Sequence, residues 1–128
     1  MHAISIAFID HLQDIKHKSN NWHQDISEAM ALFKNLAKDL KIPVVIISQL
    51  SRIVEQTADK RPNMGHLKES GDIEGKADVV MFLFREAYYR PTADQFRVEL
   101  IVSKNRDGKT GTIELRWESE FMKFSDFW

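Results

Sequence analysis

The sequence predicts an α/β fold in which a mostly parallel sheet carries an antiparallel hairpin extension near its C-terminal end. Two apolar segments, 4–9 and 44–47, flank a helical pattern, which is the strand–helix–strand order of parallel sheets. Two segments of alternating polarity, 96–103 and 112–117, are joined through a turn at 107–108, which predicts the hairpin. The 128 residues, 43% hydrophobic and 29% charged, fit one domain that spans the whole chain.

The first predicted strand covers residues 4–9 and is followed by a carboxylate, Asp10. It is almost wholly apolar, as is typical of a strand buried on both faces of a parallel sheet. The first helix is predicted to begin at Asp25, because Glu28 lies three residues later and completes a capping box. Its apolar residues recur every three or four positions as far as Leu40, which predicts a stripe that faces the core.

The second predicted strand, 44–47, is β-branched throughout and is followed by the polar pair Ser48 and Gln49. Periodicity is then lost over 52–71, a loop longer than compact domains usually contain. We expect this segment to be either a binding loop or disordered. A short helix and a third apolar strand, 79–84, lead from it to the hairpin.

Charge and composition exclude several classes of function. Eighteen basic and nineteen acidic residues give a net charge of −1, so contact with nucleic acid must come from a local patch. The absence of cysteine excludes disulfides, thiolate metal sites and cysteine nucleophiles. The five histidines have no zinc-binding spacing. Since no apolar run approaches membrane-spanning length, we expect a cytoplasmic protein without a membrane partner.

Two polar residues at predicted strand ends could bind a nucleotide. Asp10 matches a Walker B carboxylate, which holds the Mg²⁺ of a nucleotide at the carboxyl end of a parallel strand. Gln49, at the tip of the next strand, could sense a terminal phosphate. Taken alone, each is more often an ordinary turn or surface residue.

In combination, the motifs closely resemble the RecA-like motor domain of replicative DNA helicases of the DnaB family. They are IDHLQ at 9–13, SQLSR at 48–52, DKRP at 59–62, KESG at 68–71 and KNR at 104–106. The resemblance extends from Ile6 to Phe124 with the motif order kept. It implies an ATP-dependent helicase that unwinds duplex DNA by translocating on single-stranded DNA as a homo-hexameric ring. It also implies ATP and Mg²⁺ as cofactors, and a primase and a helicase loader as partners.

The resemblance assigns roles to the first group of candidate residues. Asp10 would be the Walker B carboxylate and metal-holding residue, and Gln49 would report the terminal phosphate to the DNA-binding loops. Lys68, Glu69 and Gly71 would lie on the loop that grips the backbone of single-stranded DNA. The family commonly has arginine at the position of Lys68, so a bidentate phosphate contact would here become a point-charge contact.

A second group is assigned to the interface between subunits. Arg106 corresponds to the arginine finger and Lys104 to its companion, both reaching the nucleotide site of a neighbouring subunit. Without the resemblance, both would be ordinary charges near a hairpin turn.

The sequence lacks a Walker A motif, since Gly108-Lys109-Thr110 matches only its last three residues and lies in a hairpin. In the family, the P-loop and the catalytic glutamate precede the Walker B strand. We therefore expect residues 1–128 to be the C-terminal part of a motor domain without ATPase activity of its own. Loss of the P-loop strand would leave a gap between strands 44–48 and 79–84. We expect these strands to close up, another chain to fill the gap, or the protein to be poorly soluble.

Two alternatives stay open from the sequence. One is a different RecA-like ring ATPase, of the recombinase or clock type. The other is a non-enzymatic module that binds or inhibits a helicase ring.

Overall fold

The computed structural model describes residues 4–15, 21–67 and 70–127. The chain divides into two compact units. The first unit comprises Met1–Ser51 and Leu67–Ala77, and the second comprises Arg52–His66 and Asp78–Trp128. Within the described ranges, no helix is both long enough and apolar enough to cross a membrane.

The first unit is built around a parallel strand pair. Strand β1 (Ala7–Ile9) pairs with β2 (Val44–Ile46), with Ala7 opposite Val44 and Ile9 opposite Ile46. Helix α1 (Trp22–Leu40) connects the two strands, and helix α2 (Ser70–Lys76) contacts α1. This is the predicted strand–helix–strand crossover.

Helix α1 begins earlier than the sequence predicted. Asn21 is the N-cap, and its side-chain oxygen accepts a hydrogen bond from the backbone N–H of Gln24 at 3.4 Å. The helix therefore starts at Trp22, and the start predicted at Asp25 is wrong because an earlier residue satisfies the free N–H groups of the first turn. Its last residue is Leu40, and the residue that caps its C-terminus, Lys41, has a left-handed backbone (φ 53°).

Burial in the first unit is less extensive than predicted. Ile26, Ala29 and Met30 form the buried face of α1, whereas Leu40, at the far end of the predicted stripe, is exposed. Burial of the first strand on both faces is wrong, because Phe8 is 65% exposed. Among the residues that the structure describes, the sheet that contains this strand has two strands.

The second unit contains an antiparallel sheet with the order β3-β4-β5-β6. The strands are β3 (Val79–Phe84), β4 (Arg97–Asn105), β5 (Gly111–Glu118) and β6 (Lys123–Asp126). A short helix, α3 (Glu86–Tyr89), follows β3. The third strand and the hairpin are confirmed, whereas β6 was not predicted. The α/β class is also confirmed, but three of the four strand ladders are antiparallel, so the predicted mostly parallel sheet is wrong for the described residues.

Strand β3 is buried on one face only. Val80, Phe82 and Phe84 are buried, while the alternate side chains are exposed. Its ladder partner is β4, and the partner of β2 is β1. Direct pairing of β2 with β3, the first of the three outcomes expected for the missing strand, is therefore not found among the described strands.

The described part of the long loop is folded onto the second unit's sheet. It forms two short 3₁₀ helices, Arg52–Gln56 and Met64–His66. Between them, the Arg61 guanidinium donates two hydrogen bonds, each 2.8 Å long, to the carboxylate of Glu99 on β4. It also lies over the ring of Phe84, 4.8 Å from the centroid. An ion pair with the buried carboxylate of Glu99 thus holds this loop on the sheet.

Candidate functional site

Asp10 and Gln49 lie at the same edge of the parallel strand pair. The backbone N–H of Ile47 donates to the carbonyl of Ile9 at 2.9 Å, and the N–H of Leu12 donates to the carbonyl of Ile47 at 2.8 Å. These bonds continue the pairing beyond the ends of both strands. The structure therefore brings together the two residues that the sequence placed at neighbouring strand tips, and both are exposed to solvent.

A polar network joins the turn after β1 to the tip of β2. His11 Nε2 lies 2.7 Å from Gln49 Nε2, and His11 Nδ1 lies 3.0 Å from a carboxylate oxygen of Asp14. The side chain of Gln13 accepts a hydrogen bond from the backbone N–H of Gln49 at 3.1 Å and donates one to the Ser48 hydroxyl at 3.0 Å. Sequence reasoning gave no role to His11 or Gln13, although both closely follow the predicted carboxylate.

The donor set near Asp10 suits a magnesium ion that is bound mainly by other ligands. Throughout residues 4–15, 21–67 and 70–127, no group of three or more His, Cys, Asp or Glu side chains could hold a metal. Mg²⁺ bound with a nucleotide typically takes one or two carboxylates, with phosphates and water as its remaining ligands. A single exposed carboxylate at a strand end fits that pattern.

Arg106 lies in the turn that follows β4, in the second unit. Its guanidinium is 2.8 Å from a carboxylate oxygen of Asp78, and its backbone N–H donates to the Asp78 carbonyl at 2.9 Å. Both side chains are half-exposed. Lys104 lies two residues earlier on β4, opposite Val80. The charged turn thus includes an acidic partner, Asp78, whose role the sequence did not reveal.

The predicted DNA-binding residues are only partly described. Lys68 and Glu69 lie outside the described residues. Gly71 is the second residue of α2, is exposed, and has no atom within 4 Å of the position that a Cβ would occupy. Close packing therefore gives no reason for a glycine at this position.

Helix α2 is tied to α1 by a cluster of three polar side chains. The Ser27 hydroxyl donates to Asp72 at 2.9 Å, and the Lys76 ammonium lies 2.7 Å from the Ser27 hydroxyl and 3.3 Å from the same Asp72 oxygen. The hydrogen bond from Ser27, followed by that from Lys76, lowers the pKa of Asp72. The segment that follows Lys68 and Glu69 is thereby attached to α1.

Comparison with known proteins gives consistent matches along the chain. The family model described as "DnaB-like helicase C terminal domain" matches residues 1–126. Replicative DNA helicase DnaC of Bacillus subtilis (strain 168) is 42% identical over 126 residues, covering 95% of this chain and 28% of that protein. Replicative DNA helicase DnaB of Geobacillus stearothermophilus gives the same identity and coverage. The chain thus spans less than a third of the length of these relatives.

Two solved structures share the fold. One, described as an ATPase domain, superposes with a TM-score of 0.89 at 38% identity, covering 95% of this chain and 44% of that chain. The other, a DnaB-like replicative helicase described together with its interactions with primase, has the same TM-score and identity and is covered to 30% of its length.

Proposed function

This chain belongs to the DnaB-like helicase C-terminal domain family, and from that premise we propose that residues 1–128 form the C-terminal part of the motor domain of an ATP-dependent replicative DNA helicase. The resemblance drawn from the sequence motifs is confirmed, and so is the ATPase-domain fold of its structural neighbours. The recombinase and clock alternatives lose their support, because the matching relatives are replicative helicases.

One observation supports the proposal beyond family membership, namely that Asp10 and Gln49 follow the ends of two adjacent parallel strands, whose pairing is continued by backbone hydrogen bonds of Ile47. When bound, ATP would supply the phosphoryl group, and Mg²⁺ would neutralise the charge that develops during its transfer. Asp10 would hold the metal, directly or through water. The amide of Gln49 would donate a hydrogen bond to the terminal phosphate and respond to its loss.

Lys104 and Arg106 would act on the nucleotide of a neighbouring subunit. A guanidinium delivered across an interface stabilises transition-state charge and is typically worth about 10³ to 10⁵ in rate. In this structure Arg106 pairs with Asp78, so it would have to exchange that partner for a phosphate, or share it. Because the pair is half-exposed, the exchange would cost little.

Single-stranded DNA would be gripped by the segment that contains Lys68, Glu69 and Gly71. Ammonium and backbone N–H contacts to phosphate are independent of base sequence, as a translocating motor requires. The Ser27–Asp72–Lys76 cluster supports this assignment, because it attaches helix α2, which contains Gly71, to α1.

The remaining parts of the proposal come from the family. They are a homo-hexameric ring, a helicase loader, a primase and a location in the cytoplasm, and one structural neighbour is described with primase. The chain alone is proposed to lack ATPase activity, since its sequence has no Walker A motif.

The test uses a chimera in which this chain replaces the matching 126-residue segment of the Geobacillus stearothermophilus helicase. We expect the chimera to hydrolyse ATP in response to single-stranded DNA, and Asp10→Asn or Arg106→Ala to reduce turnover by about 10³ or more. Asp39→Asn, which changes an exposed carboxylate on α1, is the control and should leave turnover unchanged.

Mixing the two inactive chimeras adds a second criterion. If Asp10 and Arg106 act on one nucleotide from adjacent subunits, mixed rings contain some sites with both residues intact, and part of the activity returns. Full activity of either variant would contradict the proposal, as would ATP turnover by the isolated chain that depends on Asp10. The non-enzymatic alternative would be favoured if the isolated chain inhibited an intact helicase ring.

A further inference from the structure

Two side chains in the turn after β1, His11 and Gln13, contact the residues that follow β2, and the proposed function gives neither of them a role. We propose that His11 and Gln13 are positioning residues that together fix both the backbone and the side-chain amide of Gln49. The turn that carries Asp10 and the residue that would sense the phosphate would then move as one body. The role of Gln49 in this inference rests on the proposed function. The contacts of His11 and Gln13 with Ser48 and Gln49, called the clamp below, are a property of this chain.

The turn after β1 is held in place by Leu12. Leu12, between the two clamping residues, is fully buried, and its backbone N–H is bonded to the carbonyl of Ile47. Burial of the leucine side chain is hydrophobic stabilisation that opposes local opening of the turn. Since Leu12 cannot move freely, the positions of His11 and Gln13 on either side of it are restricted as well.

Gln13 extends the pairing of the two strands where the ladder ends. Strand β2 ends at Ile46, so the backbone N–H of Gln49 has no ladder partner on β1. The side-chain oxygen of Gln13, Oε1, accepts a hydrogen bond from that N–H, and its side-chain nitrogen, Nε2, donates to the hydroxyl of Ser48. One side chain therefore holds two consecutive residues of the strand tip.

His11 sets the direction of the Gln49 amide. In the tautomer with its proton on Nδ1, the ring would donate that proton to the Asp14 carboxylate and would present the lone pair of Nε2 to Gln49. Only the nitrogen end of the amide can donate to that lone pair. One N–H of Gln49 is then bound to His11, and the second is left to donate to another acceptor, which is the polarity that recognition of a phosphate oxygen requires.

The proposal is tested on the intact ¹⁵N-labelled chain by nuclear magnetic resonance, without nucleotide. Two-bond ¹H–¹⁵N spectra should show His11 as the tautomer with its proton on Nδ1. In His11→Phe, the side-chain NH₂ signals of Gln49 should move to the position of a solvated glutamine. The NH₂ signals of Gln24, which bonds to Glu28 on α1, are the internal reference and should not move.

The backbone half of the clamp is read by hydrogen exchange. Gln13→Leu should accelerate exchange of the Gln49 backbone N–H by about two- to tenfold, the effect of losing one hydrogen bond. Gln13→Glu keeps an acceptor oxygen and should retain the protection of Gln49. Retained protection in Gln13→Glu, together with lost protection in Gln13→Leu, distinguishes the loss of this one acceptor from a general disturbance of packing at position 13.

Three results would overturn the proposal: a His11 tautomer with its proton on Nε2, unchanged Gln49 side-chain signals in His11→Phe, or unchanged exchange in Gln13→Leu. The tautomer is measured on the unaltered chain, so the proposal stays falsifiable even if a variant fails to fold. None of these measurements depends on catalysis. Loss of the clamp would leave the helicase assignment standing, and an active Gln49→Ala chimera would refute the sensor role while leaving the clamp intact.

Discussion

The ion pair between Arg61, which is partly exposed, and Glu99, which is buried, should make the second unit's stability depend unequally on the two partners. Glu99 is 7% exposed, whereas the Arg61 side chain is 43% exposed. Arg61→Met keeps the apolar stem over Phe84 but leaves a buried carboxylate whose nearest remaining cation, Arg97, is 3.8 Å away. We expect this variant to lose about 3 kcal/mol, at the lower end of the range for a broken buried pair.

Substitution of Glu99 should lower the free energy of unfolding by less than substitution of Arg61. Glu99→Leu removes the same two hydrogen bonds, but the guanidinium it leaves behind is partly in water and can be rehydrated, so we expect a loss of about 1–2 kcal/mol. The double variant Arg61→Met/Glu99→Leu should lose less than the two single variants combined, because it leaves no buried charge unpaired. Urea unfolding followed by circular dichroism and tryptophan fluorescence measures all three free energies.

The pH dependence of the free energy of unfolding independently checks that the ionised carboxylate of Glu99 causes the loss in Arg61→Met. The hydrogen bonds from Arg61 lower the pKa of Glu99 below its usual value. The stabilisation is therefore fully present above the unfolded carboxyl pKa of about 4.3 and is lost as pH falls through the lower folded pKa. The difference between wild type and Arg61→Met should be largest near pH 7 and should shrink below about pH 4. Equal losses in the two single variants, or a difference that does not change with pH, would refute this reasoning.

Three further predictions address other parts of the chain. Ser27→Ala should lower the free energy of unfolding by about 1 kcal/mol at pH 7, and, since the pKa of Asp72 is lowered mainly by Ser27, the loss measured by urea titration should fade below about pH 4. Lys41→Gly should stabilise the chain by about 0.5–1 kcal/mol in thermal unfolding, because Lys41 ends α1 with a left-handed backbone; Lys41→Ala should not stabilise it. Asp78→Ala should cost less than about 1 kcal/mol, since its pair with Arg106 is half-exposed; a larger loss in the same assay would mean that the pair is structural.

Features set by short apolar runs were predicted well. Strand β3 has the predicted bounds, and the position of Asp10 and Gln49 at one edge of the strand pair followed from two apolar strands that are each followed by polar residues. Parallel strands that are joined by a helix bring their carboxyl ends to one edge. The start of α1 was missed because Asn21 and Asp25 are both good caps, and the sequence alone does not decide between two nearby candidates.

Features set by distant residues could not be predicted. The pair of Arg61 with Glu99 joins positions 38 residues apart, and the anchoring that it gives to the middle of the 52–71 loop could not be inferred from the loop's polarity. Arg106 and Asp78 meet because β3 and β4 are antiparallel, which places the start of one strand beside the end of the other. The pairing of these two side chains depends on the register between β3 and β4, which cannot be read from the local sequence of either strand.

The motif at 9–13 combines a packing role and polar contacts within five residues. Leu12 is buried and fixes the turn, Asp10 is exposed and available for chemistry, and His11 and Gln13 bond to the neighbouring strand tip. The position of each polar residue depends on the buried one, since a looser turn would place none of them reproducibly. Packing and chemistry are therefore specified by the same few positions, and Gln49, which is distant from Asp10 in the sequence, is placed by this turn as much as by its own strand.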